Sequence, residues 1–148
     1  HLSTRRQRQM CIRDRTLAEA CSKGDDDSGV DSGSSDAITG YTVNGNSVSI
    51  DLDDTSFSSL QSRGWMNFRQ QNMLLLKLNA TTYRAFTNSC PHAGSRNAWS
   101  YNDTQERFVC SSHNNSYPSD CSTPGTTDDV LECYDTSLMG STLTVTKS

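Results

Sequence analysis

Histidine and proline are both scarce in this chain, with three of each among 148 residues. The histidines are His1, His92 and His113. Outside the last two there is no internal imidazole to serve as a general base, and no nucleophile elbow or glycine-rich phosphate loop stands in the sequence. Catalytic constellations of those kinds are therefore hard to find. Long apolar runs are also missing, so neither a membrane-spanning helix nor the core of a signal peptide is expected. The formal charge is −4, with acidic residues bunched over 25–36, basic ones over 5–15, and no broad basic face for nucleic acid. A hydrophobic fraction of 32% is low, and Ser, Thr, Asn and Asp are abundant. One small, loop-rich domain is what such a length and composition allow.

From Ile38 onward the pattern is that of an antiparallel β protein. Tyr41-Thr42-Val43, then Asn44-Gly45, then Ser47-Val48-Ser49-Ile50 predicts a hairpin, because Asn-Gly takes the positive φ angles of tight turns. Residues 74–78 and 83–86 predict a second hairpin. Residues 130–134 and 142–146 predict two more strands around Met139-Gly140. Residues 56–62 have room for a brief turn of helix, and six or so short strands favour a small sandwich or barrel. Asp51, Asp53 and Asp54 are close enough in sequence to suggest calcium, but an acidic surface loop is the simpler reading.

The chemistry concentrates in two short stretches. Cys90-Pro91-His92 is followed, after seventeen intervening residues, by Cys110-Ser111-Ser112-His113. Each stretch offers one thiolate and one imidazole. Two thiolates on one iron and two imidazoles on the other are what a histidine-ligated [2Fe-2S] cluster needs. A structural zinc ion could take the same four side chains, although zinc motifs more often pair Cys with Cys and His with His along the chain.

The surrounding residues extend the pattern. Leu74-Leu75-Leu76-Lys77-Leu78, a turn, Tyr83-Arg84-Ala85-Phe86 and then Cys90-Pro91-His92-Ala93-Gly94 resemble the entry to the first cluster loop of small Rieske ferredoxin-like proteins. Arg107-Phe108-Val109-Cys110 resembles the strand that delivers the second loop. The resemblance covers about residues 38–148. It implies an all-β fold in which a Rieske-like antiparallel sandwich or barrel base carries a small two-loop subdomain, here residues 87 to about 120. It further implies that Cys90 and Cys110 hold the inner iron of a [2Fe-2S] cluster and His92 and His113 the outer one, with the imidazole edges facing solvent and a potential that falls as pH rises. Trp99 and Tyr101 stand where relatives carry apolar residues under the cluster. Tyr117 matches a tyrosine whose hydroxyl donates to the first cysteine sulfur, here Cys90, and packing at the base is the other role open to it. Ser122-Thr123-Pro124-Gly125 is a turn that could stand in for the proline loop of relatives.

Departures from the family pattern make the chain resemble its ferredoxin-type branch. Ser95 and Ser112 occupy positions where high-potential members have a loop-to-loop disulfide. Asn114 replaces the glycine after the second histidine, and Asn115 stands where a serine often donates to a bridging sulfide. Asn tolerates the left-handed conformation better than most residues, so the turn can survive. A middling to low potential is expected. Rieske oxygenases need a second domain with a mononuclear iron site, and this chain has no histidines for one. An electron carrier rather than a catalyst is expected, working with a redox partner protein.

Residues 1–36 read as a segment separate from the fold at 37–148. Residues 10–15 look like translated sequencing-adapter sequence, and Arg5-Arg6 lacks the apolar segment that follows a twin-arginine motif. Leu17-Ala18-Glu19-Ala20-Cys21-Ser22-Lys23 and the acids after it resemble the processing site of bacterial lipoproteins, similar to surface lipoproteins of Bacteroidetes-like bacteria. That resemblance implies a lipid anchor on Cys21, a flexible acidic tether behind it, and a location in the periplasm or on the cell surface. A tail with an incidental cysteine is the plainer alternative. Cys121 and Cys133 remain after the other cysteines are assigned, and an exported location permits a bridge between them. Two separately buried thiols are the competing reading. The alternative function is a cell-surface binding module on the same fold, holding zinc or no metal.

Overall fold

Gly45 sets the register of the first hairpin. In the computed structural model, which describes residues 37–148, β1 (Tyr41–Asn44) pairs antiparallel with β2 (Ser47–Asp51), and Asn44 faces Ser47 across the ladder. The loop is therefore Gly45 and Asn46, one residue later than the sequence suggests. Of the two only Gly45 has positive φ, at 64°, as in hairpin turns with glycine at the first central position. Asn44 is free to stay in the strand. The expectations for Arg5, Arg6, Cys11 and Cys21 concern positions outside the described residues.

Thr39–Ser148 make one compact unit. Eight further strands come after the first hairpin: β3 (Trp65–Phe68), β4 (Met73–Lys77), β5 (Tyr83–Thr87), β6 (Trp99–Asn102), β7 (Arg107–Cys110), β8 (Asn115–Pro118), β9 (Cys133–Met139) and β10 (Thr142–Thr146). They form a seven-stranded sheet in the order β1-β2-β10-β9-β5-β4-β3 and a three-stranded sheet in the order β6-β7-β8. Every pairing is antiparallel. The fold is thus all-β, with a large base and a small second sheet. Strand β9 joins the two halves of the base: residues 135–139 pair with β10, while Cys133 and Tyr134 pair with Phe86 and Ala85 of β5. A strand shared in this way lets the sheet curl.

Sequence and structure part company over β9. The apolar stretch at 130–134 predicts a strand, yet the ladder begins only at Cys133 and runs on through polar residues to Met139. Leu131 is fully buried, and the Glu132 carbonyl accepts from Thr87 N–H at 3.0 Å. The apolarity of Leu131 serves the core, not an alternating strand face. Strands β3, β6 and β8 are not marked by the sequence pattern.

The short helix α1 (Ser58–Arg63) comes after a 3-10 turn at Thr55–Phe57. Asp54 starts it by accepting from Ser56 N–H at 2.8 Å, a capping bond that, with help from the Ser56 and Thr39 hydroxyls, holds its carboxyl below the usual range. Asp51 likewise accepts from Asp53 N–H at 3.0 Å. These carboxylates are occupied in turn-building, and among the described residues no three His, Cys, Asp or Glu side chains converge on a single ion.

Strand β4 explains how the small sheet is carried. Met73, Leu74, Leu75 and Leu76 are all buried, so both faces of the strand are covered, because neighbouring side chains point to opposite sides. Leu74 and Leu76 pack with Phe86, Trp99, Phe108, Tyr117, Leu131 and the two thiol cysteines Cys90 and Cys110. Phe108 is the hub of this layer, with ring centroids 5.3 Å from Phe86, 4.8 Å from Tyr101 and 6.2 Å from Trp99. Full burial of side chains this large contributes about 1.5–3 kcal/mol each. This apolar layer is the platform under the two cysteine loops.

Candidate metal centre

The first loop leaves β5 at Thr87 and returns into β6 at Trp99. Two backbone bonds close its tip, Cys90 N–H to Ser95 O at 2.9 Å and Gly94 N–H to Cys90 O at 2.7 Å. Gly94 has φ 71°, which a residue with a Cβ rarely adopts. The second loop is the turn between β7 and β8. Here Asn114 takes φ 58°, the left-handed conformation expected of it. The loops meet through Ser111, whose N–H donates to Ala98 O at 2.7 Å, and through a 2.8 Å hydrogen bond between the Ser95 and Ser112 hydroxyls.

Four side chains come together there. Cys90 and Cys110 are free thiols, 1% and 0% exposed, at the top of the aromatic platform. His92 and His113 are exposed, and their ring centroids lie 4.7 Å apart. The set thus sorts by type, sulfur inside and imidazole outside. No single point is shared by three of them.

The two sulfurs sit in unlike surroundings, and those of Cys90 favour the anion. Burial pushes the Cys90 thiol up, but hydrogen bonds from the Tyr117 hydroxyl, the backbone N–H groups of His92 and Ala93, and the Cys110 thiol outweigh it and leave Cys90 below its ordinary value. For Cys110 burial wins; the Ser112 N–H opposes it, and the neighbouring Cys90 adds to it, so the thiol is held above its ordinary value. Two adjacent thiolates without a cation repel each other, and the first to ionise therefore raises the cost of the second. A positive centre bound between them removes that conflict.

Tyr117, fully buried, places its hydroxyl 3.6 Å from Cys90 Sγ and 3.1 Å from the Thr127 hydroxyl. Its own acidity is weakened, first by burial. Trp99 and Tyr101 line the platform beneath the thiols. Asn115 turns its side-chain oxygen to the Thr126 hydroxyl at 3.2 Å. Gly125 lies so close to Tyr117 that a Cβ there would overlap the ring and the Ser116 carbonyl. The 122–125 turn therefore leads into a segment pressed on Tyr117.

Cys121 and Cys133 form a disulfide with Cα atoms 5.6 Å apart. It ties the exit from β8 to the start of β9. Beside it Asp120 accepts from the Thr123 hydroxyl at 2.6 Å and from the Thr123 and Ser122 N–H groups, and these bonds hold its carboxyl far below the usual range.

A polar network built on the buried Asn88 behind the first loop has no signature in the sequence. Asn88, 1% exposed, donates to Asn67 Oδ1 at 3.0 Å and accepts from Arg96 Nη1 at 2.8 Å. Asn67 in turn donates to Arg96 O at 2.8 Å, and Trp99 Nε1 donates to Asn88 O at 2.7 Å. An asparagine immediately before Ser-Cys carries no local signal of burial. Thr127 is equally silent, because nothing in sequence connects it with Tyr117.

The family model for the Rieske [2Fe-2S] domain matches residues 51–135. The cyanobacterial plasma membrane Rieske protein PetC3 from Synechocystis PCC 6803 is similar at 18% identity over 61% of this chain and 93% of that one, with a TM-score of 0.47. No curated protein matches the chain. The family implies a [2Fe-2S] cluster, and the residues present fit it: two adjoining buried sulfurs with N–H donors aimed at them, beside two paired, accessible imidazoles.

Proposed function

Because the chain belongs to the Rieske [2Fe-2S] domain family, whose model matches more than half of its residues, we propose that it is a single-electron carrier in which Cys90 and Cys110 supply the thiolate ligands and His92 and His113 the imidazole ligands. The carrying observation is the sorting of the four side chains, two thiols under cover and two imidazoles at the surface. When bound, the cluster supplies a one-electron couple. The chain's own residues do the rest. The platform of Trp99, Phe108 and Tyr117 keeps water from the sulfurs, and the N–H groups of His92, Ala93 and Ser112 stabilise negative charge on them. His92 and His113 form the exposed edge that a redox partner protein can approach.

Export and tethering through Cys21 form part of the same proposal. The Cys121–Cys133 disulfide supports an oxidising compartment, where such bridges persist. Cys21→Ser is expected to move the protein from membrane to soluble fraction; equal partition of both forms removes the anchor.

The decisive test is low-temperature electron paramagnetic resonance of the dithionite-reduced full chain, together with metal analysis. A rhombic signal of low average g with about two irons per chain is expected. One zinc, or no metal after anaerobic reconstitution, overturns the carrier reading and favours a surface binding module.

A further inference from the structure

Three hydrogen-bond contacts run in line behind the first cysteine, and only two protons are available to make them. Cys90 Sγ lies 3.6 Å from the Tyr117 hydroxyl, that hydroxyl lies 3.1 Å from Thr127 Oγ1, and Thr127 Oγ1 donates to Asp129 Oδ2 at 3.1 Å. A carboxylate only accepts, so the single proton of Thr127 is committed to Asp129. Thr127 can then meet Tyr117 only as an acceptor. A cysteine that ligates a metal is a thiolate and likewise only accepts. The one phenolic proton of Tyr117 therefore has two takers, Cys90 Sγ and Thr127 Oγ1.

The contact is built in rather than incidental. Tyr117 is fully buried and cannot swing away. Thr127 belongs to a segment locked onto β8 by Thr126 N–H to Ser116 O at 3.0 Å and closed on itself by Gly125 N–H to Asp129 O at 2.7 Å. Gly125 is pressed on the Tyr117 ring so closely that no Cβ fits between them.

We propose that Thr127, oriented by Asp129, is a positioning residue that draws the Tyr117 hydroxyl proton away from Cys90 and so lowers the reduction potential of the centre. The physical step is simple. A donor aimed at a ligand sulfur stabilises the more electron-rich, reduced state, and a competing acceptor takes that donor away. The proposal rests on the assignment of Cys90 as a cluster ligand.

The test is a redox titration of the cluster-loaded full chain, followed by visible circular dichroism, on the wild type and on single and double variants. Thr127→Val keeps the shape and removes the acceptor. It is expected to shift the equilibrium towards the reduced state by about three- to tenfold, where tenfold corresponds to about 59 mV for one electron. Thr127→Ser restores the acceptor and is expected to titrate like the wild type. Asp129→Ala leaves Thr127 in place but frees its proton to donate to Tyr117, and is expected to shift the equilibrium in the same direction by a smaller factor. In Tyr117→Phe, adding Thr127→Val is expected to change nothing. An unchanged or lowered potential in Thr127→Val overturns the proposal, as does a shift that survives in the Tyr117→Phe background. Where Thr127→Val takes up no cluster, Asp129→Ala at this exposed carboxylate decides: its shift is expected to shrink in the Tyr117→Phe background, and a shift of full size there is charge removal alone and overturns the proposal. A wild type without iron defeats the carrier reading itself, whereas a loaded wild type with no shift among the variants defeats only the role of Thr127.

Discussion

The two cysteine loops make matching contributions to the site, yet they are anchored by different chemistry. Behind the first loop, Asn88 is buried and bonded to Asn67 of β3 and to Arg96, so the loop is wired into the base by amide and guanidinium groups. The second loop, residues 111–114, is exposed throughout. Its strand β8 is secured from the C-terminal side by the Cys121–Cys133 disulfide, which reaches the base at β9. One loop is positioned by a buried amide, Asn88, that is costly to leave unpaired. The other hangs on a hairpin whose far end is stapled covalently. A site assembled from both can then lose either support separately.

Removing the staple gives the largest expected effect. Cys121→Ser with Cys133→Ser is expected to cost about 3 kcal/mol in urea unfolding, the chain-entropy value for a loop of this size. Below the unfolding midpoint the first loop keeps its amide bonds, so Trp99 fluorescence, read in a Trp65→Phe background because the sequence has two tryptophans, is expected to remain native. A change of that fluorescence in the folded variant means that the two supports are not separate. Next comes Asn88→Ala, expected to cost about 1.5 kcal/mol because it removes a buried amide bonded to the half-buried Asn67 and to Arg96, and to reduce iron content where the disulfide variant does not. Equal iron loss in both would erase the distinction between the loops. Smaller still is Ser112→Ala, which removes the exposed Ser95–Ser112 bond for about 1 kcal/mol or less. Its readout is the rate of iron release to a chelator, expected to rise modestly.

This contrast also explains what the sequence made legible. The four metal-ligand candidates are chemically rare residues in close pairs, and the strand pair around residues 74–86 stands out as two short apolar runs about a turn, so both were readable without a structure. Asn88, Asn67 and Arg96 were not. The polarity of Asn88 suggests surface, and its burial depends on partners distant in sequence or across the loop, Asn67 and Arg96. Leu131 misled in the opposite sense, since its apolarity marks a core contact and not a strand. Strand β8 escaped notice because Asn115, Ser116 and Pro118 have little strand propensity, and pairing with β7 overrides it. Thr127 is beyond reach of any local pattern, because its role depends on a fold-back that brings residues 125–129 onto Tyr117.

The smallest effect sits at the tip of the second loop. Asn114 holds φ 58°, where a Cβ crowds the following carbonyl and only glycine escapes the strain, asparagine being the best of the others. Asn114→Gly relieves that strain but gives the unfolded chain more freedom, and the two terms oppose each other. The relief is expected to win by about 0.5 kcal/mol, with Asn114→Ala moving stability the other way. Because the first loop does not share this turn, the Trp99 signal and the Asn88 network should be indifferent to both substitutions. Thermal unfolding of the pair, read beside Trp99 fluorescence in the Trp65→Phe background, checks the order Gly above Asn above Ala. If Ala equals Gly, the turn is not set by its backbone angle, and the second loop owes its shape to the Ser111 and Ser112 contacts with the first.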